Sequence, residues 1–368
     1  MHDSDYMRLA LELAERGRGW TSPNPMVGAV LVREGRIIGQ GWHVRCGELH
    51  AERHALKNCT EPPEGATLYV TLEPCCHQGR QPPCTDAILE AGIRRVVVGS
   101  GDPNPLVAGK GLDILRGHGV EVETGVLEAE CRALNRVFFH YIQTKRPYVT
   151  MKYAMTLDGK IATRTGASQW ITGEAARKQV HRDRHFHTGI MAGVGTVLAD
   201  DPLLTCRTEG GKNPVRIVCD TRLRTPLDSR LVRTAGEVPT VIATCCADPA
   251  RRAPYEDAGC RVLVLPERDG HVDLNALMEQ LGQMEIDSVL LEGGGTLNWA
   301  ALESDVVQRV QAYVAPKLFG GGAAKSPVEG LGVETPAQAV RLKNTTVTAA
   351  GEDFLLEGDV DTDVYGNR

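Results

Sequence analysis

A pair of histidines four residues apart, with a glutamate between them, is the strongest constraint that the sequence places on the fold. The segment HAERHAL contains His50, Glu52 and His54, and residues four apart share one face of a helix. Zinc proteases use this histidine spacing, but they need the glutamate immediately after the first histidine. Here Glu52 follows His50 by two positions. The segment therefore predicts a helix at a metal site of another kind.

The residues that follow this helix complete a metal-binding pattern. A strand in ATLYVTL leads into the loop EPCCHQGRQPPC, where prolines precede Cys75 and Cys84. His-x-Glu on a helix, followed by Pro-Cys and a second cysteine, is typical of zinc-dependent base deaminases. The pattern predicts His50, Cys75 and Cys84 as ligands of Zn²⁺, water as the fourth ligand and Glu52 as the group that moves protons. The alternative is a closed structural zinc site, which normally needs a fourth protein ligand.

Other candidate ligands are set aside. His54 is expected to lie along the helix beside the site, and Cys76 adjoins Cys75, so their side chains are not expected to meet at one metal. The remaining cysteines lack a ligand spacing and are expected to be ordinary small residues: Cys46, Cys59, Cys131, Cys206, Cys219, Cys245, Cys246 and Cys260.

The chain is long enough for two domains. Its 368 residues exceed the roughly 250–300 residues at which single cores stop growing. Strand and helix patterns alternate in the first part, which predicts a mixed sheet covered by helices and followed by one helix over 127–144. Pro147 cannot continue that helix, so we expect domains at 1–145 and 146–368. The second domain is also predicted as α/β, and its polar tail at 358–368 is expected to be frayed.

The composition of the chain limits the kinds of partner that the protein is expected to bind. The net charge of -6 argues against a broad nucleic-acid surface. No apolar run approaches the roughly 18 residues that span a bilayer, and the acidic N-terminal helix does not match a targeting signal. Eleven cysteines without a secretory signal indicate a reducing compartment. We expect a cytoplasmic protein that acts on a small anionic molecule, with no membrane or nucleic-acid partner.

Four segments of the first part occur in a fixed order: TSPNPMVGAV, HAERHAL, TLEPCCHQGRQPPC and GDPNPLVAGKG. Eight residues separate Cys75 from Cys84, whereas the common deaminase signature has two. Together these features resemble the deaminase half of the bifunctional riboflavin-biosynthesis deaminase/reductase family. The resemblance implies a cytidine-deaminase-like domain of three α/β/α layers and a phosphorylated pyrimidine substrate. It assigns the substrate pocket to Asn24, His43, His77 and Arg80.

The second part contains a glycine-rich turn in LLEGGGTLNWAAL, between a strand that ends at Glu292 and a helix. Glycines at a helix start let backbone N–H groups approach a phosphate, although such a turn is often only a turn. No Gly-x-Gly-x-x-Gly is present, so an ordinary dinucleotide-binding fold is not supported.

The segments MKYAMTLDGKIAT, SQWITG, RHFHTGIMAGVGTVLADDPLLTCR and EGGGTLN follow in order and resemble the reductase half of the same family. The resemblance implies a dihydrofolate-reductase-like α/β fold that binds NADPH and reduces a ribosyl group to ribityl. It assigns cofactor contacts to Ala154, Trp170, Thr196, Asp200, Thr221, Gly294, Gly295, Thr296, Leu297, Asn298, Trp299 and Ala300. It assigns substrate contacts to Ser168, Arg184, Leu204, Arg207 and Glu292.

Two pairs of arginines suit phosphate groups. Arg184 and Arg207 provide bidentate, charge-assisted hydrogen bonds for a substrate phosphate; the alternative is a solvated surface charge. In CDTRLRT, Arg222 and Arg224 follow a strand, where they could meet the 2′-phosphate of NADPH; the alternative is a solvated loop. No residue stands out as the proton donor for the reduction, and the number of subunits is left open, with a homo-oligomer allowed.

Three functions compete at this point. The favoured hypothesis is deamination followed by reduction. The second is a deaminase of another base whose second domain senses a ligand or is an inactive remnant, and the intact EGGGTLN and GVGTVLADDP segments argue against it. The third is a zinc-stabilised nucleotide-binding protein without catalysis. The open fourth ligand position and Glu52 argue against that.

Overall fold

The computed structural model describes residues 1–79 and 81–361. These residues form two compact units, one at Met1–Lys145 and the other beginning at Arg146. Each unit is built on its own sheet of mixed strand direction. The α/β fold class expected from the alternating strand and helix patterns is confirmed.

The first unit has a five-stranded sheet in the order β2-β1-β3-β4-β5. Strand β1 is antiparallel to β2 and β3, while β3, β4 and β5 are parallel. The strands are β1 (Gly28–Arg33), β2 (Arg36–Trp42), β3 (Thr67–Leu72), β4 (Arg95–Ser100) and β5 (Glu121–Thr124). The helices are α1 (Asp3–Glu15), α2 (Ala51–Lys57), α3 (Cys84–Glu90), α4 (Lys110–Gly117), α5 (Glu128–Leu134) and α6 (Arg136–Thr144).

Helices cover both faces of this sheet, which explains why its inner strands are apolar at nearly every position. Successive residues of a strand point to opposite faces. Leu31 thus packs with Ala55 of α2 and Leu115 of α4, whereas Val30 packs with Met7 and Leu13 of α1. The result is a three-layer α/β/α unit.

The single helix predicted over 127–144 is interrupted at Asn135. The buried Asn135 side chain accepts a hydrogen bond from the Met26 amide and donates one to the Met26 carbonyl, both at 2.8 Å. Its backbone leaves the helical region, with φ -102° and ψ 22°. The interruption follows from this tertiary contact, because asparagine side chains compete with helix hydrogen bonding when they find backbone partners.

The second unit has a nine-stranded sheet in the order β10-β9-β8-β7-β13-β6-β14-β16-β15. The first seven strands in this order are parallel, and β16 and β15 add an antiparallel edge. The strands are β6 (Tyr148–Thr156), β7 (Gly189–Gly193), β8 (Val215–Cys219), β9 (Thr240–Thr244), β10 (Arg261–Val264), β13 (Ser288–Leu291), β14 (Arg309–Ala315), β15 (Leu342–Ala350) and β16 (Asp353–Val360), with a separate ribbon of β11 (Glu267–Arg268) and β12 (His271–Val272). The helices are α7 (Glu174–Phe186), α8 (Val194–Asp200), α9 (Arg230–Arg233), α10 (Pro249–Asp257), α11 (Leu274–Gln283) and α12 (Gly295–Glu303), besides a 3₁₀ turn at Pro336–Gln338.

Part of the frayed-tail prediction is wrong. Residues 358–360 belong to β16, where Val360 is buried and Asp359 forms an ion pair with Arg309 at 2.6 Å. The rest of the predicted tail, apart from Asp361, lies outside the described residues. Within the described part of the chain, no helix combines the length and apolarity that crossing a membrane requires.

Replacing Asn135 by alanine is expected to loosen the junction of α5 and α6. The change leaves the Met26 amide and carbonyl without their buried partner, which costs about 1–3 kcal/mol. Amide hydrogen exchange at Met26 should therefore accelerate. Asn58→Ala, which removes an exposed hydrogen bond to the Gln40 carbonyl, is the control and should leave Met26 exchange unchanged. Equal exchange in both variants would contradict the account.

Candidate active sites

The first site lies where α2, the loop after β3 and the start of α3 meet. His50 is the N-cap residue of α2, Cys75 follows β3 and Cys84 is the first residue of α3. The His50 Nδ1 atom lies 3.4 Å from each of the two Sγ atoms. All three candidate ligand atoms lie within 4.8 Å of one another. Because tetrahedral zinc holds sulfur at about 2.3 Å and nitrogen at about 2.0–2.1 Å, its ligand atoms are roughly 3.6 Å apart, and these residues fit the ion.

Glu52 adds a buried carboxyl group to this cluster. It lies in the first turn of α2, is 3% exposed and shares a hydrogen bond with Cys84. Burial raises the pKa of the Glu52 carboxyl above its ordinary value. This shift is in the direction that favours a general acid/base, which must both accept and release a proton.

A hydrogen bond between the two thiols separates their pKa values. Contact with Cys84 lowers the pKa of Cys75 to about 4, and contact with Cys75 raises the pKa of Cys84 well above its ordinary value. The two pKa shifts have opposite signs because a hydrogen bond from one thiol stabilises a negative charge on the other sulfur. A bound metal ion would ionise both.

The two neighbours set aside from the sequence point elsewhere. His54 Nδ1 lies 2.8 Å from the Trp42 carbonyl oxygen. The Cys76 thiol lies 3.8 Å from the carbonyl oxygen of Leu106. Among the described residues, the cluster of candidate ligands consists of His50, Cys75 and Cys84, without these two neighbours.

Two of the four predicted substrate residues lie next to the cluster. The rings of His43 and His50 are 5.4 Å apart, edge to face, and Asn24 Nδ2 is 3.3 Å from His43 Nε2. The His77 Nδ1 atom is buried with no hydrogen-bond partner among the described residues. Arg80 lies outside the described residues. The structure thus provides two side chains beside the cluster and one unpartnered nitrogen in the adjoining loop.

Sequence reasoning missed Glu73, which organises the loop beside Cys75. This carboxylate is 4% exposed and accepts backbone hydrogen bonds from Asp102, Gly109 and Gly111 at 3.0–3.3 Å. It therefore ties the segment GDPNPLVAGKG to the residues just before Pro74. The available signal was an acid at the end of an apolar strand, where a solvated carboxylate is not expected.

The second site is a cavity of about 440 Å³ where β7, β8 and β13 end. Ligands of open α/β sheets bind at the carboxyl ends of parallel strands. Most residues assigned to the cofactor line this cavity, together with two assigned to the substrate. They are Ser168, Thr196, Asp200, Thr221, Glu292, Gly294, Gly295, Thr296, Leu297 and Ala300.

The other assigned residues do not line the cavity. Asn298 is buried, and its Nδ2 donates to the carbonyls of Gly293 and Pro327. Leu204 packs in an apolar cluster with Ile190 and Val218. The remaining members of this group are Ala154, Trp170, Arg184, Arg207 and Trp299. Their ligand contacts stay predictions.

The glycine turn before α12 allows close packing at two of its positions and leaves the backbone open to the cavity at the third. A Cβ atom on Gly295 would lie 2.5 Å from Glu329 Cγ, and one on Gly293 would lie 2.6 Å from Asn298 Oδ1, whereas Gly294 has no neighbour within 4 Å. Two of the three glycines are thus required by close contacts. Gly294, the N-cap residue of α12, leaves the backbone open to the cavity.

Glu292, at the end of β13, is the centre of a buried ion-pair cluster. Arg184 Nε and Nη2 donate to its two carboxylate oxygens at 2.7 and 3.0 Å, and Lys152 Nζ lies 3.3 Å away. Burial acts to raise the pKa of Glu292, but the charges of Arg184 and Lys152 lower it below its ordinary value. The third Arg184 nitrogen donates to the Thr205 carbonyl. Sequence reasoning missed Lys152, whose only signal was a lysine within the apolar strand YVTMKYAM.

A helix-start histidine with two thiols and a buried carboxyl group is the arrangement of zinc-dependent deaminases. The cavity at the ends of the parallel strands suits a nucleotide cofactor. The structure thus describes a zinc deaminase joined to a reductase. The chain belongs to the RibD family of riboflavin biosynthesis proteins: residues 147–356 match the RibD C-terminal domain, and residues 1–100 match the cytidine and deoxycytidylate deaminase zinc-binding region.

Full-length relatives support this membership. The riboflavin biosynthesis protein RibD of Actinobacillus pleuropneumoniae is 57% identical over 97% of this chain and 95% of its own length. The Escherichia coli RibD is 42% identical, with 97% and 99% covered. An Acinetobacter baumannii RibD structure superposes with a TM-score of 0.88 at 38% identity, covering 98% of this chain and 99% of its own.

A crystal structure from Thermotoga maritima, named as a diaminohydroxyphosphoribosylaminopyrimidine deaminase/5-amino-6-(5-phosphoribosylamino)uracil reductase, has a TM-score of 0.86 at 37% identity, with 98% and 99% covered. The family predicted from the sequence is confirmed. The chain is a deaminase and reductase of riboflavin biosynthesis, with Zn²⁺ and NADPH as its cofactors.

Replacing Arg184 by methionine is expected to destabilise the second unit by about 3–5 kcal/mol, because it leaves a buried carboxylate with one partner. Arg207→Met is the control, since Arg207 is exposed and has no ion-pair partner among the described residues. Hydrogen exchange across β13 reports the free energy of unfolding. The double variant Arg184→Met with Glu292→Gln should recover part of the lost free energy of unfolding, because the unpaired charge is removed. Equal effects of Arg184→Met and Arg207→Met would contradict a stabilising ion pair.

Proposed function

We propose that residues 1–145 deaminate 2,5-diamino-6-(5-phosphoribosylamino)pyrimidin-4(3H)-one and that residues 146–368 then reduce the ribosyl group of the product to ribityl. The observation that carries the proposal is the convergence of His50, Cys75 and Cys84 beside the buried Glu52. The printed name of the Thermotoga maritima relative states these two activities for that protein. The second unit supports the reduction through its cavity at the strand ends.

In the first step His50, Cys75 and Cys84 hold the metal and Glu52 moves the protons. Zn²⁺, when bound, supplies a water whose pKa falls from 15.7 to about 7. Glu52 would accept the first proton of the attacking water and pass it to the ring nitrogen, and would then move the second proton, from the new hydroxyl group, to the amino group, which leaves as ammonia while the carbonyl forms. Burial keeps water from competing for that proton and raises the pKa of the carboxyl. Asn24, His43, His77 and Arg80 are assigned to hold the pyrimidine and its phosphorylated ribose.

In the second step the protein mainly binds and orients the cofactor and the substrate. NADPH, when bound, supplies the hydride for C1 of the sugar, and positioning is the main task left to the protein. We assign the diphosphate to the turn at Gly294, whose backbone is open to the cavity. Glu292 faces the same cavity, and Arg184 and Lys152 hold it in place. Its carboxylate is therefore positioned to accept a hydrogen bond from a hydroxyl group of the sugar. Ser168, which donates to Asp200 at 3.2 Å, lines the same cavity.

We also propose a cytoplasmic protein that acts on a small phosphorylated pyrimidine without nucleic acid. The net charge of -6 and the free state of all eleven cysteines support this. A homo-oligomer is compatible with the exposed edge strand β15. Light scattering on the purified protein measures the subunit number.

Loss of either proposed thiolate ligand should remove the metal. We expect Cys75→Ala and Cys84→Ala protein to lose most of its zinc, because two protein ligands hold the ion far more weakly than three. Cys76→Ala is the matched control and should keep one zinc per chain, since its thiol faces Leu106. Elemental analysis of the purified variants decides this. Full zinc in Cys84→Ala protein would show that the ligand assignment is wrong.

Glu52→Gln should stop the first reaction and leave the second running. The amide keeps the shape of the side chain but moves no proton, so ammonia release should fall by about 10²–10⁴-fold while zinc is retained. The same protein, given the deaminated substrate, should oxidise NADPH at the wild-type rate. Deamination at the wild-type rate would refute the role of Glu52, and loss of NADPH oxidation would refute the independence of the two sites.

A further inference from the structure

We propose that Asp183 of α7 is a positioning residue for the reduction: its carboxylate shares the charge of Lys152 with Glu292 and so sets how strongly Glu292 binds the sugar. The inference rests on the proposed hydrogen bond between Glu292 and a sugar hydroxyl. It concerns a buried carboxyl group to which neither of the two proposed reaction steps assigns a role.

Asp183 lies on the face of α7 that packs on the sheet. Ala176, Val180 and Asp183 follow one another at spacings of four and three residues, which places them on one side of the helix. Ala176 and Val180 pack in an apolar cluster with Tyr313 of β14. His187, one turn further on, reaches a threonine hydroxyl of β6 at 3.2 Å. Packing alone favours an apolar side chain at the position of Asp183, which is 8% exposed.

The strand register places a row of polar side chains beneath Asp183. Lys152 of β6 is paired with Gln311 of β14, which is paired with Glu357 of β16. Paired residues of adjacent strands point to the same face of a sheet, and so does Tyr313, two positions after Gln311. The Tyr313 hydroxyl donates to the Asp183 Oδ2 atom at 3.2 Å. Helix α7 therefore covers the face of the sheet to which Lys152 points.

Asp183 is the carboxyl group without a cation of its own. The structure brings together four carboxyl groups and three cations: Asp183, Glu292, Glu357, Asp359, Lys152, Arg184 and Arg309. Arg184 and Lys152 pair with Glu292, and Arg309 pairs with two carboxylates of β16. Among the described residues, no cation lies within ion-pair distance of Asp183. This group therefore takes up a proton before the other three as the pH falls.

Lys152 couples Asp183 to Glu292. Its Nζ atom lies 3.3 Å from the Glu292 carboxylate, and its charge also acts on Asp183 from a longer distance. The pKa of Asp183 is raised to about 6, mainly by burial; Tyr313 and Lys152 act to lower it, whereas Glu357 and Glu292 act to raise it. Asp183 is therefore neutral in mildly acidic solution and charged in neutral solution.

The charge of Asp183 changes the hydrogen bond that Glu292 can offer the substrate. When Asp183 is neutral, the charge of Lys152 acts on Glu292 alone and weakens its carboxylate as an acceptor. When Asp183 is charged, Lys152 is shared by two carboxylates, and Glu292 keeps more negative charge for the sugar hydroxyl. Because hydrogen bonds to a charged acceptor are the stronger ones, the substrate of the reduction should bind more tightly when Asp183 is ionised.

The test measures KM for the deaminated substrate at saturating NADPH in the wild-type and Asp183→Asn proteins. The amide has the shape of the neutral carboxyl group at every pH. The two KM values should be equal at about pH 5, and that of Asp183→Asn should be about 3- to 10-fold higher at about pH 8, while kcat stays near the wild-type value. The ratio of the two values is compared because the substrate phosphate titrates in the same range and affects both proteins equally.

Two further variants separate this effect from damage to the fold. Tyr313→Phe removes a hydrogen bond that favours the charged form of Asp183, so the change in KM should move to higher pH without changing its size. Asp287→Asn removes another buried carboxyl group of the same unit. This group accepts hydrogen bonds from Thr188 and Ser288 at the other end of β13. The ratio of its KM to the wild-type value should be the same at every pH.

Glu292→Gln distinguishes failure of this inference from failure of the proposed sugar contact. If Glu292→Gln leaves KM unchanged, the proposed contact is wrong and the inference falls with it. If Glu292→Gln raises KM but the ratio of Asp183→Asn to wild type does not change with pH, the inference alone is overturned. In the double variant, Asp183→Asn should add no pH-dependent effect, because the group through which it acts is gone. A pH-dependent effect that persists there would also overturn the inference.

Discussion

The position of His50 opposite two thiols is the constraint on which the first unit depends. Three separate parts of the chain supply the three ligand atoms, so the layers that carry them must pack closely. A Cβ atom on Gly41 of β2 would lie 2.2 Å from the Ala55 amide nitrogen. This glycine therefore lets α2 lie directly on the sheet, with His50 at its N-cap facing Cys75 and Cys84. Glu73 then fixes the loop that borders Cys75.

In the second unit the corresponding constraint is the burial of Glu292 at the end of β13. A carboxylate with 12% of its side chain exposed is strongly destabilising unless it is paired, and Arg184 and Lys152 pair it from two other elements. The cluster therefore holds α7, β6 and β13 in one arrangement at the wall of the cavity. The fixed carboxylate and the open backbone at Gly294 together suit a reaction in which orientation matters more than proton transfer.

Local patterns predicted the strands and helices whose side chains alternate between polar and apolar or form apolar runs. The strands β3 and β13 are of this kind. Local patterns failed where tertiary contacts determine the secondary structure. Asn135 divides one predicted helix because its side chain forms hydrogen bonds with the backbone of Met26. Strand β15 was missed because nearly all of its residues are exposed and its order comes from pairing with β16. Helix α10 was missed because it contains Pro254.

The residues of the candidate sites likewise divide into those that local patterns predicted and those that depend on tertiary contacts. The spacing of His50, Glu52 and the two cysteines predicted the cluster that the structure describes, because candidate metal ligands leave a local signature. Glu73 and Lys152 left only a weak signal, an ionisable residue within or just after an apolar strand, because their partners are more than 30 residues away.

The central claim is that this one chain performs both steps on one pyrimidine. The most direct measurement incubates the zinc-loaded protein with the diaminopyrimidine phosphoribosylamine, with and without NADPH, and identifies the products by mass spectrometry. Without NADPH, the account predicts a product in which one NH is replaced by O. With NADPH, that product should gain two hydrogens on the sugar. A substrate that remains unchanged, or a deaminated product that gains no hydrogen when NADPH is present, would contradict it.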